Sequence, residues 1–361
     1  MFVVNDYATA VILCIVTMLC WGSWGNTQKL AGRTWRYELF YWDYVVGMLL
    51  FSLILCFTLG SIGSEGRPFL EDLAQAAPKA LGSVLLGGVI FNASNILLSA
   101  SVSLAGLAVA FPLGVGLALV LGVVINYLGA PKGDPVILFL GVALIVIAIV
   151  CNGIASGRVR KEPGSSAQNR KGILLAVLAG VLMSFFYRFV AAAMDLDNFE
   201  SPTPGMLTPY SAIFIFSVGV LLSNFVFNTL VMKRPFVGTP VGYDAYFKGS
   251  ARTHLVGMLG GAVWCLGTAF SYIAAGKAVH PRYGEYADST AVHINRTAPA
   301  FIPALYHQPR YAQRCQLLGH IPGYAGYRKA IVRPGGYCGP GSAGYVAAGE
   351  QTGNFNECVV G

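Results

Sequence analysis

The chain has 361 residues, of which 55% are hydrophobic and only 11% charged, and its mean hydropathy is +0.61. A soluble domain carries roughly 25% charged residues, so the composition excludes an ordinary soluble protein and defines a polytopic membrane protein. The formal net charge of +8 resides in short loops and in the C-terminal part, a pattern of membrane topology and not of nucleic-acid binding.

In chain order, the first predicted span is Tyr7–Trp24, which has neither a basic leader nor a small-residue cleavage pattern and therefore reads as a retained helix. Thr17, Trp21, Trp24 and Gln28 recur on it at helical spacing, placing indole and amide groups on one face. Such a face suits a planar polar solute, although an interfacial aromatic belt gives the same residues at a membrane surface. The second span, Leu39–Ser61, opens among Phe40, Tyr41, Trp42 and Tyr44. Glu38 and Asp43 at its entrance are candidates for proton coupling, since a carboxylate inside a span is costly unless it has a role. Asp43 lies close to the end, where pairing with Arg36 is the structural alternative.

From Ala80 to Pro131 the chain runs 52 residues without Asp, Glu, Lys or Arg. At about 1.5 Å per residue one helix of that length would far exceed a ~30 Å hydrocarbon core, so the segment must fold back. The crease falls at Ser103-Leu104-Ala105-Gly106, between spans Leu85–Val102 and Leu107–Leu128. Gly88, Asn92, Asn95, Ser99 and Ser103 share one face of the first arm, a polar stripe that has to meet other helices or a water-filled cavity. In the second arm Pro112, Gly114 and Gly116 predict a helix break lining a solute path, with close helix packing as the alternative.

Pro135–Ala155 is a fifth span, apolar nearly all round. A basic linker, Gly157–Lys171, comes next, and then spans Gly172–Met194, Pro209–Met232 and His254–Gly276. Lys and Arg concentrate after spans one, five and seven, which places the N-terminus outside and the linker inside. An odd number of crossings before the linker inverts the chain beyond it, so a second five-helix unit would be an inverted repeat with a site at the repeat interface. Leu86-Gly87-Gly88-Val89 in span three echoes Leu259-Gly260-Gly261-Ala262 in span eight, and on that alignment Asn95 corresponds to Thr268 and Ser99 to Tyr272. The segments are then 1–156, the first repeat; 157–171, the linker; 172–277, a second repeat of three helices; and 278–361, a tail.

Several stretches carry a resemblance. Tyr41-Trp42-Asp43-Tyr44, Phe57-Thr58-Leu59-Gly60-Ser61-Ile62-Gly63, and Gly87-Gly88 with Asn92 and Asn95, leading to Val124-Ile125-Asn126-Tyr127, are similar to the ureide permeases and their bacterial relatives. Those belong to the drug/metabolite transporter superfamily, alongside the glucose/ribose porters. The resemblance covers about residues 5–276 and implies a ten-helix, two-repeat secondary transporter. It also implies a ureide, nucleobase-like heterocycle or sugar as cargo, protons as the coupling ion and a bacterial plasma membrane as the location. The central-loop phosphate-binding motif of plant members is absent, because Gly157–Lys171 has no G-x-x-x-x-G-K-[ST] pattern. No cofactor is expected.

The family pattern calls for a ninth and a tenth helix after Lys277, yet 279–361 is rich in Gly, Pro, Tyr and Arg and holds no apolar run near the required ~20 residues. It reads as an unstructured tail, either out of frame, rearranged or foreign, or a natural extension. Cys315 and His320 lack any paired metal-ligand spacing. The expected fold is thus an all-α, inverted-repeat transporter with eight of ten spans. The alternative functions are a truncated or partner-dependent transporter, a membrane-embedded enzyme and a membrane-anchored binding module. An enzyme is disfavoured because the spans offer no evident acid–base pair, nucleophile dyad or metal cluster. The proposed cavity comprises Trp21, Trp24, Asn92, Asn95, Tyr187, Trp264 and Thr268, with Arg188 either reaching toward Asp195 or contacting an anion. The partners are a small polar solute, the bilayer and protons.

Overall fold

The computed structural model describes residues 1–4, 6–31, 35–129, 135–159, 166–196 and 198–275. Among them are ten helices: α1 Tyr7–Leu30, α2 Tyr37–Phe57, α3 Phe69–Gln75, α4 Pro78–Ala105, α5 Leu107–Gly129, α6 Pro135–Val159, α7 Ser166–Ala191, α8 Pro209–Lys233, α9 Tyr243–Phe247 and α10 Ala251–Ala275. Eight of these are long and apolar enough to cross a membrane. The expected tail lies outside the described residues, as do residues 160–165 of the linker.

Local signals set the helix ends. Asp6 caps α1 by accepting a hydrogen bond from the Thr9 amide at 2.8 Å. Pro78 and Pro209 stand at the first positions of α4 and α8, where a missing N–H costs nothing. The predicted crease reduces to one residue: Gly106, with φ of 79°, turns the chain between α4 and α5 in a conformation that a side chain would strain.

The helix break expected at Pro112, Gly114 and Gly116 is not formed, since α5 runs continuously through all three. Pro112 is the sixth residue of α5 and forgoes one intrahelical bond, and the packing of α5 along α7 accompanies a helix that continues through it. The glycines serve packing: a Cβ on Gly114 would press on Leu98, and one on Gly116 on Ile149.

The helices assemble by direct backbone approach. α4 packs against α7 and α8, whereas α10 packs against α1 and α2; α5 joins α7, and α6 lies outermost, mainly on α5. Ser83 Oγ donates to the Phe189 carbonyl and Ser101 Oγ to the Gly172 carbonyl, both at 2.7 Å, fastening α4 along α7. Leu140, Leu144, Ile147, Val150 and Ile154 of α6 are exposed, as a lipid-facing helix requires.

Contacts between connections sort the two ends of the bundle. At one end Arg67 donates to Asp72, at 2.9 Å, and to the carbonyls of Pro202 and Met206, while Asp72 accepts from the Thr208 amide and hydroxyl. Glu65, Glu71, Asp195 and Glu200 lie in the same connections. At the other end Arg36 donates to the backbone of Val237 and Thr239, and Lys171 to the carbonyl of Phe236. Lys29, Lys233, Arg234, Lys248 and Arg252 fall in or beside these connections. One end is therefore acidic and the other basic, with connections alternating between them as eight consecutive crossings demand.

Candidate functional site

The polar stripes of α1, α4 and α10 meet in the middle of the bundle. Thr17 Oγ1 donates to the Gly267 carbonyl at 2.8 Å, Trp21 Nε1 to Thr268 Oγ1 at 3.0 Å, and Gln28 Nε2 to the Ser99 carbonyl and Ser103 Oγ at 3.3 and 3.2 Å. The α1 stripe thus faces inward and is not an interfacial belt. Trp24 is 2% exposed and packs between Tyr44 and Phe111, with ring centroids 4.9 and 5.5 Å away.

These helices enclose a cavity of about 80 Å³. Five of the seven predicted residues line it: Trp21, Trp24, Asn95, Tyr187 and Trp264. Its aromatic wall is compact, with Phe91 and Trp264 at 4.3 Å, Phe91 and Phe186 at 5.4 Å, and Tyr187 and Tyr272 at 5.9 Å between centroids. The lining also takes in Val115, Leu119 and Gly122 of α5, Ser184 of α7 and Ser271 of α10. Gly122, Tyr187 and Tyr272 all lie in the half of their helix nearer the acidic end. Trp24 of α1 and Leu98 of α4 lie in the half nearer the basic end, so the cavity straddles the middle of the bundle.

Asn95 is the unusual group in this wall. It is 1% exposed, and no hydrogen bond of ordinary geometry reaches its amide oxygen or nitrogen, the Tyr41 and Tyr44 hydroxyls being near enough only for a weak polar interaction. The Tyr272 hydroxyl on the same cavity is also unpartnered. A buried polar group left unpaired costs about 1–3 kcal/mol. A ligand offering one donor and one acceptor would recover that cost.

Two predicted residues have other work. Asn92 accepts from Tyr41 Oη at 3.0 Å and donates to Ser223 Oγ at 2.9 Å, cross-linking α2, α4 and α8, and it does not line the cavity. Thr268 stands behind the wall and holds the Trp21 indole. Arg188 is exposed and lies outside the cavity lining. Conversely, Phe91, Phe186, Ser271 and Tyr272 line the chamber without having been predicted to. Tyr272 succeeds Trp264 and Thr268 at intervals of four residues, a helical signal sufficient to find it.

The carboxylates at the entrance of α2 separate in role. Glu38 is fully buried and closed by Arg36, whose Nη2 lies 2.6 Å from Oε1 and whose Nε donates to Oε2 at 3.2 Å. Asp43 does not pair with Arg36. It accepts three hydrogen bonds: from Trp35 Nε1 at 3.0 Å, from Tyr246 Oη at 2.8 Å, and across 2.7 Å from His254 Nδ1. Burial, and then the hydrogen bond to Asp43, push the Tyr246 phenol above its ordinary range, so it remains a donor. No motif or spacing links the histidine of α10 to this carboxylate.

Cys14, Cys20, Cys56 and Cys265 are buried free thiols, as their apolar surroundings suggest, whereas Cys151 is exposed on α6. Among the described residues no group of three His, Cys, Asp or Glu side chains is placed to hold a metal.

Fold and cavity together define an integral membrane protein with eight long apolar helices around an aromatic, amide-bearing chamber. Residues 40–162 match the family model of the ureide permeases. Ureide permease 1 of Arabidopsis thaliana is 22% identical over 318 residues, covering 72% of this chain and 82% of the relative. Ureide permease 3 of the same plant is 24% identical over 312 residues, covering 76% and 90%. Ureide permease 2 reaches 31% over 163 residues, covering 44% and 41%. The chain is thus ureide permease-like, most strongly in its first half. These relatives are plant proteins, so they lend no support to a bacterial membrane.

Proposed function

We propose that this chain is a permease, not an enzyme, that moves a small ureide or a related planar heterocycle through the membrane by alternating access. The observation that carries the reading is Asn95, a buried amide with no hydrogen bond of ordinary geometry, set beside the Tyr41 and Tyr44 hydroxyls in an aromatic chamber. A ureide presents adjacent N–H and C=O groups in one plane, which match an amide's acceptor and donor and lie flat against indole and phenyl faces. A flat aromatic box also favours a planar heterocycle over a sugar. Similarity to proteins named ureide permeases points the same way.

The inverted-repeat reading draws support from the helix crossings. On α4, a Cβ at Gly88 would collide with the Phe216 carbonyl and crowd Val220 N, while Gly219 of α8 abuts the Leu85 carbonyl. On α10, a Cβ at Gly261 would collide with the Tyr44 carbonyl and crowd Met48 N, while Gly47 of α2 abuts the Met258 carbonyl. The glycine alignment that pairs Gly88 with Gly261 also pairs Leu85 with Met258. Tyr44, Gly47 and Met48 then correspond in the same order to Phe216, Gly219 and Val220. Two crossings built from the same four positions are what duplication of one unit produces. In this reading residues 1–156 form the first unit, 157–171 the linker, and 172–277 the three helices of the second.

Binding tests the cavity assignment. Allantoin or uracil added to purified protein in detergent should quench tryptophan emission saturably, because Trp21, Trp24 and Trp264 line the chamber, and Trp264→Phe should remove much of the change. Quenching that is linear in ligand and unaltered by Trp264→Phe would count against the site. Orientation is tested separately with Ser166→Cys in a cysteine-free background. An impermeant maleimide added to intact cells should leave it unlabelled, and strong labelling would reverse the assignment of the basic end to the cytoplasm.

A further inference from the structure

We propose that Asp43 and His254 form a proton-binding latch that closes the basic end of the bundle, beyond the cavity in its middle. The inference rests on the alternating-access reading above and assigns to that cycle a site separate from the solute chamber. Neither residue lines the cavity.

The geometry is that of a tie between separate elements. Asp43 belongs to α2, and its carboxylate receives Trp35 from the segment before α2, Tyr246 from α9 and His254 from α10. Gly257 of α10 lies so close that a Cβ there would collide with Asp43, so the helices touch at this point. Trp35 packs edge-on against His254 at 5.1 Å, and Tyr246 does so at 4.8 Å. The Asp43 side chain is fully buried, whereas that of His254 is 19% exposed. With Nδ1–H directed at Asp43 Oδ1, Nε2, which lies beside Gly249, is the nitrogen left to take a proton.

Few other charges compete. At the start of α2, Arg36 and Glu38 are closed on each other, and Arg36 also on the 237–239 backbone. Asp244 and Lys248 of α9, Arg252 of α10, Lys29 of α1 and Lys233 of α8 are exposed to screening solvent. Tyr246 stays a neutral donor. The protonation state of the Asp43–His254 pair is then set chiefly between its two members and bulk solvent.

The step is a simple proton balance. One proton from water binds Nε2 and converts a neutral imidazole–carboxylate contact into an imidazolium–carboxylate pair, and the same proton returns to water when the latch opens. A charge-assisted hydrogen bond is roughly twice as strong as a neutral one, so the protonated pair holds α2 to α10 more tightly.

Accessibility tests this without relying on transport. Thr27 is 7% exposed and faces Gly260, one turn deeper than Gly257 on α10, so Thr27→Cys in a cysteine-free background reports opening at this end. Maleimide labelling is measured from pH 5.5 to 8.5, and each rate is divided by that of the same protein carrying His254→Gln, which cancels the thiol's own titration. The ratio should fall about fivefold toward low pH. Asp43→Asn in place of His254→Gln should give the same trend. A ratio that is flat across pH for both variants, with both proteins monodisperse, overturns the latch. If the ratio falls but the chain moves no ureide, the latch stands and the transport reading fails.

Discussion

Asn95→Leu should reduce saturable uptake of a ureide by about a hundredfold in kcat/KM while leaving the protein folded. The side chain is 1% exposed and makes no hydrogen bond of ordinary geometry, so leucine removes at most a weak interaction with the neighbouring Tyr41 and Tyr44 hydroxyls and replaces a poorly compensated polar group by an apolar one of similar size. Fold stability should therefore stay level or rise. Two hydrogen bonds to the solute at roughly 1–1.5 kcal/mol each account for the hundredfold figure. The pairing of unchanged or raised thermal stability with lost uptake separates a ligand-binding amide from a structural one. Asn92→Leu provides the contrast: it strands Tyr41 and Ser223 in the core and should lower stability. If Asn95→Leu unfolds the protein, or leaves uptake within about twofold of normal, the amide does not serve the solute.

Gly261→Val should have the largest effect on the fold. Any Cβ at this position meets the Tyr44 carbonyl and the Met48 backbone, neither of which can swing aside as a flexible side chain does. Ordinary overpacking of a core costs about 1–3 kcal/mol, and here two helix backbones must separate, so a cost above that range is expected. Most of the protein should be lost from the monodisperse peak in size-exclusion chromatography. Gly88→Val should behave alike, since it strikes the Phe216 carbonyl and Val220 N. Gly82 and Gly153 have nothing within 4 Å of an added Cβ, so Gly82→Val and Gly153→Val should be well tolerated. Equal loss in all four variants would mean that the crossings carry no special constraint.

Much of this architecture is legible in the sequence because a bilayer allows few solutions. An apolar run of 52 residues without charge has to fold back, and among its described residues the one conformational outlier is Gly106. All eight spans lie where hydropathy puts them, with ends shifted by up to seven residues: α4 begins early at Pro78 and α7 at Ser166, whereas α2 stops at Phe57 and α7 at Ala191, short of the expected Ser61 and Met194. Stripes at helical spacing identify the inward faces of α1 and α4. Periodicity cannot say which polar residues on an inward face are consumed by neighbours. Asn92 and Asn95 are one turn apart on the same stripe, but Tyr41 and Ser223 make well-formed hydrogen bonds to the first, whereas the second has none of ordinary geometry. The helix break predicted at Pro112 fails for a different reason, because one lost backbone bond is compatible with a continuous helix when, as here, the helix is packed along its length against a neighbour. The Asp43–His254 contact spans 211 residues and involves a lone histidine with no motif around it, so only the packing of α10 on α2 reveals it.

If this chain carries a ureide through the chamber around Asn95, labelled allantoin should enter proteoliposomes containing the purified chain alone. Protein-free liposomes and the Asn95→Leu protein serve as parallel samples. Uptake is expected to be saturable, to be depressed by excess unlabelled uracil, and to be abolished by Asn95→Leu. Entry of allantoin no faster than into protein-free liposomes, from protein that is folded and monodisperse, would contradict the transport reading.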